Sequence, residues 1–212
     1  LRTPEVPVSP PAAKAPAGDT PEERRIAALW NNYGGAILKE AAFSGIPAES
    51  ALAVFSVEAG RAYDPATGLL LIRFEPHIFR KKSGRDLVIN RRGQKEEWQN
   101  LEKAYMLDPE AALESCSYGL AQLMGFNWPV TRHPGVGEMV LAFQRSSEEQ
   151  VAGFFGFVCQ NNLGRWIKKQ DWRTFTKYYN GPGNIEVYAG RLARAWKAVA
   201  GLKQRGARFQ SG

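Results

Sequence analysis

The sequence predicts a mostly α (α+β) fold, in which helices surround one small β element. From Lys95 onward the apolar residues recur almost wholly at helical spacing. The only convincing strand is the apolar run at residues 69–74, which is too short for a helix and is followed by Glu75 and Pro76. The chain has 212 residues and no visible internal repeat, so one domain is the default.

A segment rich in Pro and Ala, residues 1–19, predicts an extended linker without a core of its own. Such a linker suggests a domain that is tethered to a larger polypeptide. Thr20 and Glu23 then form a capping box, with Pro21 at the first helical position. We therefore expect the folded domain over residues 20–204, followed by a basic tail over residues 205–212.

Caps and helix breakers place the remaining elements. The first helix should run to about Phe43, with Gly34 and Gly35 as a candidate interruption. A short helix over residues 76–82 should follow the strand, whereas the polar segment 86–94 is compatible with a hairpin or a loop. Further helices are predicted at 48–58, 95–106, from the Asp108 cap onward, and at 117–124, 136–144, 151–160, 171–178 and 185–202.

The helix at residues 48–58 ends on an acidic residue in an unusual place. Ala51, Val54, Phe55 and Glu58 recur at helical spacing, so Glu58 falls on or beside the apolar stripe. The negative end of the helix and the loss of water among apolar neighbours both favour the protonated carboxyl group. A carboxyl group that is protonated near neutral pH can act as a general acid. The alternative is a carboxylate that only ends the helix and points into solvent.

The net charge favours a polyanionic partner. The chain has 28 Lys and Arg against 21 Asp and Glu, a formal charge of +7. Nucleic acid, anionic lipid and an acidic cell-wall polymer all fit this charge, and so does an ordinary solvated surface. We expect neither a membrane span nor a signal peptide, because the sequence has no long apolar run and no basic start followed by an apolar core.

The cysteines and histidines do not form the pattern of a metal site. Cys116 and Cys159 lie in apolar surroundings, where buried free thiols are favoured over a disulfide. The two histidines, His77 and His133, are not spaced to pair with each other or with a cysteine. We therefore expect no metal and no cofactor.

Three separated segments form a recognisable pattern: residues 57–60 (VEAG), 117–124 (SYGLAQLM) and 178–183 (YYNGPG). Their order resembles the lysozyme-like superfamily of goose-type lysozymes and lytic transglycosylases. More closely, the chain resembles the N-acetylmuramidase family that is common in phage endolysins, through FEPHIF at 74–79, SYGLAQLMGFN at 117–127 and YNGPG at 179–183. The likeness covers roughly residues 26–199.

This resemblance implies a lysozyme-like helical domain with a small β element after the catalytic helix, and it implies that Glu58 is the general acid. Where the family usually has Glu-Ser-Gly-Gly, this chain has EAGR at residues 58–61, so a serine hydroxyl near the acid is missing. Glu75 is either a second carboxylate that activates water or a structural acceptor for Arg73 or Arg80. Asp64 is a further candidate base.

The resemblance also implies a set of sugar-binding side chains. Tyr118 and Gln122, with Ser117 beside them, would line the cleft and touch the sugar, while Tyr179 and Asn180 would bound the cleft from the opposite side. Core packing is the alternative for Tyr179. His77 would either orient Glu75 or Glu58 by a hydrogen bond or lie in the core.

By resemblance, the expected activity is cleavage of the β-1,4 bond between N-acetylmuramic acid and N-acetylglucosamine in bacterial peptidoglycan. Cell lysis is the expected use, by an endolysin or a secreted antibacterial effector that acts in the periplasm or cell wall. Delivery by a holin or by a contact-dependent secretion system fits the missing signal peptide, and an immunity protein or delivery machinery are candidate partners.

We expect a monomer that neither binds nucleic acid nor inserts into a membrane. Three rival functions stay open. A lytic transglycosylase would use the same acid and form 1,6-anhydro products. A wall-binding module would use the cleft without catalysis, and nucleic-acid binding rests on charge alone.

Overall fold

The computed structural model describes residues 11, 13–90 and 92–209. It is mostly helical with one small antiparallel sheet, which confirms the predicted fold class. Within the described residues, no helix is both long enough and apolar enough to cross a bilayer. In chain order the elements are α1 (Pro21–Ser44), α2 (Ala48–Glu58), β1 (Ile72–Phe74), α3 (Pro76–Ser83), α4 (Gln94–Tyr105), α5 (Pro109–Glu114), β2 (Cys116–Tyr118), β3 (Leu123–Met124), a 3-10 helix (Gly125–Thr131), α6 (Val136–Arg145), α7 (Ser147–Gln160), α8 (Gly164–Lys168), α9 (Trp172–Tyr179) and α10 (Ile185–Gln204).

The chain forms two compact units. Among the described residues, unit 1 contains residues 60–90 and 92–157, and unit 2 combines residues 11 and 13–59 with residues 158–209. Unit 1 holds the sheet and α3 to α6, unit 2 holds α1, α2 and α8 to α10, and α7 begins in unit 1 and ends in unit 2. The assignment of residues 20–204 to one domain stays a prediction.

Helix α1 begins at the predicted capping box. The Thr20 hydroxyl accepts a hydrogen bond from the Glu23 amide at 3.2 Å, and the Glu23 carboxylate accepts one from the Thr20 amide at 3.0 Å. The predicted interruption at Gly34 and Gly35 is wrong, because the helix is continuous through both residues. A Cβ atom at Gly34 would lie 2.9 Å from the Trp30 ring, so the glycine allows close packing.

Residues 13–15 of the predicted linker pack onto α1. The Trp30 indole donates a hydrogen bond to the Ala13 carbonyl at 2.9 Å, and the Ala15 amide donates one to the Asn31 side chain at 2.8 Å. The Ala15 side chain is buried. This part of the Pro/Ala-rich segment therefore belongs to the packed structure of unit 2, and residues 1–10 and 12 lie outside the described part of the chain.

The core of unit 2 is built from α1, α2 and α10. Helix α2 is buried throughout residues 50–56, because its side chains there are small or apolar on every side. Helix α10 buries Leu192 and Val199 at helical spacing. The Asp171 carboxylate caps α9, as predicted, by accepting a hydrogen bond from the Thr174 amide at 3.1 Å.

Unit 1 is built around the antiparallel sheet, whose strand order is β1–β2–β3. Ile72 of β1 pairs with Tyr118 of β2. The strand predicted at residues 69–74 is confirmed in its second half only, since Leu70 forms an isolated bridge with Tyr63 outside the sheet. Large side chains buried around this sheet include Phe74, Phe79, Tyr118, Met139 and Phe143.

The helix predicted at residues 117–124 is wrong, since this stretch forms β2, a turn and β3. Gly119 and Gln122 both adopt left-handed backbone conformations, with φ of 63° and 48°. A right-handed helix cannot contain such residues. A Cβ atom at Gly119 would also overlap the Gln150 side chain, so only glycine fits at this turn.

The remaining differences concern short elements. Helix α8 and the 3-10 helix are not predicted by the sequence pattern. The described residues of segment 86–94 form no strand before α4 begins at Gln94, so the loop alternative is confirmed, and Arg91 lies outside the described residues.

Cys116 and Cys159 are free thiols, as favoured.

Candidate active site

The predicted general acid is the last residue of α2 in unit 2. The helix ends here because the next residue, Ala59, turns to an extended conformation, with φ of −74° and ψ of 124°. The Ala59 amide still donates a hydrogen bond to the Phe55 carbonyl at 2.7 Å. Glu58 therefore lies at the negatively polarised end of a helix whose residues 50–56 are buried.

The Glu58 carboxyl group is largely removed from water. Its Oε1 atom is buried and has no hydrogen-bond partner among the described residues. Burial raises the pKa of Glu58 to about 7, against the opposing effects of hydrogen bonding to the Asn180 side chain and of the Arg191 charge. About half of the Glu58 side chains therefore carry a proton at neutral pH, as the position of this residue on an apolar stripe predicts.

Two further predicted residues, Tyr179 and Asn180, lie at the end of α9 close to Glu58. Asn180 is the exposed C-cap residue of α9, and Gly181 follows it in a left-handed conformation with φ of 83°. The Tyr179 ring stacks on Phe175 with 5.2 Å between the ring centres. Burial raises the pKa of the Tyr179 phenol, and the nearby charge of Glu58 adds to this rise.

In unit 1, Ser117 and Gln122 form one hydrogen-bonded group. The Ser117 hydroxyl donates to the Gln122 side-chain oxygen at 2.9 Å, and the Gln122 amide nitrogen donates to the Gly119 carbonyl at 2.9 Å. The left-handed backbone of Gln122 and these bonds fix its side chain. Gln122 is exposed and borders a cavity of about 430 Å³, which is also lined by Gly60, Arg61, Leu71, Ile72, Arg73, Gln94, Glu97 and Gly119.

The predicted sugar contact of Tyr118 needs correction. Its side chain has no accessible surface and packs in the core of unit 1. The Tyr118 hydroxyl donates to the Leu113 carbonyl at 2.7 Å, so its polar group is already satisfied. Tyr118 lies on β2 with its ring directed into the core, and we reassign it from sugar binding to core packing.

Glu75 has the ion-pair partners that the structural alternative requires. Its Oε1 atom lies 3.0 Å from Nε of Arg73, and its Oε2 atom lies 3.7 Å from Nδ1 of His77. Arg80, the other candidate partner, pairs instead with Asp86 at 3.6 Å. His77 is 66% exposed, so the core alternative for this histidine is wrong, and its neighbour is Glu75.

Asp64 stabilises its own turn. Its carboxylate accepts a hydrogen bond from the Thr67 hydroxyl at 2.8 Å and one from the Ala66 amide at 3.3 Å. Side chains of Asp commonly bond to the backbone two residues later in this way. Both bonds hold the loop before β1, which favours a structural role for Asp64 over that of a base.

Several arginines near these residues were not predicted to be functional. Arg191 acts on the charge of Glu58, and Arg61 and Arg73 border the Gln122 cavity. Arg61 could have been found from the sequence, because it lies where EAGR replaces the usual Glu-Ser-Gly-Gly. Arg191 could not, because its position in the sequence is that of an ordinary surface residue of α10. Among the described residues, no group of three or more His, Cys, Asp or Glu side chains is arranged to hold a metal ion.

Comparisons with known proteins identify the family and the fold of the chain. The family model for N-acetylmuramidases matches residues 47–200. Among solved structures, the crystal structure of the Burkholderia AP3 phage endolysin matches 81% of this chain and 71% of its own, with a TM-score of 0.72 and 24% identity, which shows a shared fold. No curated protein sequence matches the chain. Because the family model spans most of the sequence, the chain belongs to the N-acetylmuramidase family and is a glycoside hydrolase that acts on bacterial peptidoglycan.

Proposed function

We propose that Glu58 is the general acid that protonates the leaving oxygen when the β-1,4 bond between N-acetylmuramic acid and N-acetylglucosamine is cleaved. The observation that supports this role is the buried carboxyl group at the end of α2, whose pKa is raised to about 7. Cleavage of a glycosidic bond needs a proton at the leaving oxygen, and a pKa near the working pH suits proton donation.

Asn180 and Arg191 support the proposed role of Glu58 in proton transfer. Both favour the charged form of Glu58, so they stabilise the carboxylate that remains after the proton has been donated. Without them, burial alone would raise the pKa further and make the proton harder to give up. The balance of these effects lets one side chain donate a proton and later take one back.

We propose that Glu75 and Asp64 are structural in this enzyme. Glu75 is held by Arg73 and His77, and Asp64 is held by its own turn. The groups that shift the pKa of Glu58 include no second carboxylate. A lytic transglycosylase needs no second carboxylate, because the hydroxyl of muramic acid attacks in place of an activated water. The lytic transglycosylase reaction therefore stays the rival to hydrolysis.

We propose glycan contacts for two sets of side chains. In unit 2, Asn180 supplies an exposed amide beside the acid, and Tyr179 bounds the same place with a half-buried side chain. In unit 1, the Gln122 amide faces its cavity with Ser117 as its support. Fixed amide groups suit sugar hydroxyls, since each amide can both donate and accept a hydrogen bond.

The biological use that we propose is bacterial lysis. The fold is shared with a protein that is named a phage endolysin, which supports a lytic role for this chain. Release by a holin and injection by a contact-dependent secretion system remain our two proposed routes to the cell wall. An immunity protein would accompany the second route.

Digestion of purified sacculi by the Glu58→Gln variant tests the role of the acid. Glutamine keeps the size of the side chain but has no proton of suitable acidity, so the rate should fall by about 10² to 10⁴. Glu49→Gln is the matched control, since it makes the same change on the same helix where Glu49 pairs with Lys203, and its rate should stay near that of the unsubstituted protein.

Mass spectrometry of the released muropeptides separates the two reactions. We expect reducing ends from hydrolysis. Muropeptides that carry 1,6-anhydro ends would show a transglycosylase, and full activity of Glu58→Gln would remove Glu58 from the reaction.

A further inference from the structure

A small cavity in unit 2 is rich in arginine. It has a volume of about 220 Å³ and is lined by Glu22 and Arg25 of α1, Val57 of α2, and Arg191 and Arg194 of α10. We call it the arginine cavity. The lining includes three arginines and one glutamate, so it carries a formal charge of +2.

The arginines of this cavity are not used by ion pairs within the described residues. The salt bridges of unit 2 engage other cations, such as Arg173 with Glu186 and Arg205 with Glu23. All three arginines are exposed, so an anion can reach their guanidinium groups from solvent. Guanidinium groups also match the planar geometry of a carboxylate and can bind both of its oxygens. The cavity therefore has the composition of an anion site.

The arginine cavity lies next to the proposed acid. Val57, which borders it, is the residue directly before Glu58, and the charge of Arg191 acts on the Glu58 carboxyl group. Its volume is smaller than that of a pocket that encloses a whole small-molecule ligand, so it suits one charged group of a larger ligand. A group that enters it belongs to a substrate that also reaches Glu58.

We propose that the arginine cavity binds a carboxylate of the peptidoglycan strand, carried on N-acetylmuramic acid by its lactyl group or its peptide stem. The inference rests on the proposed function, because it requires the scissile bond to lie at Glu58. Of the two sugars in the strand, only N-acetylmuramic acid carries such a group, whereas N-acetylglucosamine is neutral. The cavity thereby fixes which sugar lies on which side of the acid.

Ligand titration of the full chain tests the arginine cavity, with Glu58→Gln present throughout to prevent turnover. The ligands are a tetrasaccharide of alternating N-acetylglucosamine and peptide-bearing N-acetylmuramic acid, and chitotetraose, which has no carboxylate. Adding Arg25→Gln or Arg194→Gln should weaken binding of the first ligand about tenfold and leave chitotetraose unchanged, because one charge-assisted hydrogen bond is lost. Lys197→Gln is the control, since it removes one charge from an exposed position of α10 that does not line the cavity.

A third ligand identifies the source of the carboxylate. In the peptide-bearing tetrasaccharide the lactyl carboxyl group is an amide, so an arginine effect on that ligand assigns the peptide stem. Amidase treatment removes the peptide and frees the lactyl carboxylate, so an arginine effect on the treated ligand alone assigns the lactyl group. Unchanged affinity of both arginine variants for both carboxylate-bearing ligands would overturn the proposal. So would an equal loss for chitotetraose or an equal effect of Lys197→Gln. These outcomes differ from failure of the proposed function, which appears as full digestion of sacculi by Glu58→Gln alone.

Discussion

Glu58 in unit 2 and Glu75 in unit 1 occupy similar places in the chain, each at the end of an apolar element. Their surroundings are opposite. Glu58 has a buried oxygen without a partner and a pKa of about 7, whereas Glu75 lies between Arg73 and His77, at 3.0 Å and 3.7 Å. Burial without a direct ion pair raises the pKa of Glu58, whereas Glu75 is paired with Arg73, which fits the structural role that we propose for Glu75.

The largest expected effect is that of pH on the rate of sacculus digestion, which should follow the protonation of Glu58. Because the pKa of Glu58 is raised to about 7, the protonated form is lost above that pH, and the rate should fall by up to about tenfold per pH unit. Circular dichroism over the same range controls for unfolding. A rate that stays level to about pH 9 would place the proton donor elsewhere.

Glu58→Gln should stabilise the protein at high pH. In the folded state Glu58 binds its proton more tightly than in the unfolded chain, so its contribution to stability is fully present below about pH 4.5 and is lost as the pH rises through about 7. At about pH 8, the variant should gain up to about 3 kcal/mol in free energy of unfolding.

At about pH 4, the same variant should unfold like the unsubstituted protein. Urea unfolding at the two pH values measures the difference. Destabilisation by Glu58→Gln at high pH would show that the buried charge is well compensated, which contradicts the comparison with Glu75.

Glu75→Gln should have the smallest effect. The Arg73 side chain is 61% exposed, so water screens its pair with Glu75, and the loss in free energy of unfolding should stay below about 1 kcal/mol. The rate of sacculus digestion should change by no more than a few-fold. An inactive variant of unchanged stability would make Glu75 the second catalytic carboxylate.

The sequence was sufficient to predict features that depend on local pattern. Residues adjacent in the sequence determine three such features: the capping box at Thr20, the short strand before Glu75 and the apolar helix that ends at Glu58. The motif at residues 117–127 also identified the family correctly, because residue identities within a motif do not depend on knowing its conformation.

Features that depend on distant residues were missed. The apolar residues at 117–124 have helical spacing, but the segment contains a turn that packs against the distant residue Gln150. The left-handed backbone at Gln122 is unusual for glutamine, so the sequence gives no sign of this turn. The motif likewise does not show that Tyr118 points into the core. The arginine cavity joins Arg25 to Arg191, which are far apart in the sequence, and no spacing rule relates them.

The proposed role of Glu58 as general acid depends on the protonation state of its carboxyl group in the free protein. Carbon NMR of selectively labelled glutamate, assigned with Glu58→Gln, reports that titration directly. We expect the Glu58 carboxyl signal to titrate with a pKa of about 7, which is above the ordinary value of 4.5 for a glutamate side chain. A midpoint near the ordinary value of 4.5 would contradict the account, because the acid would then be ionised at the pH where it must donate a proton.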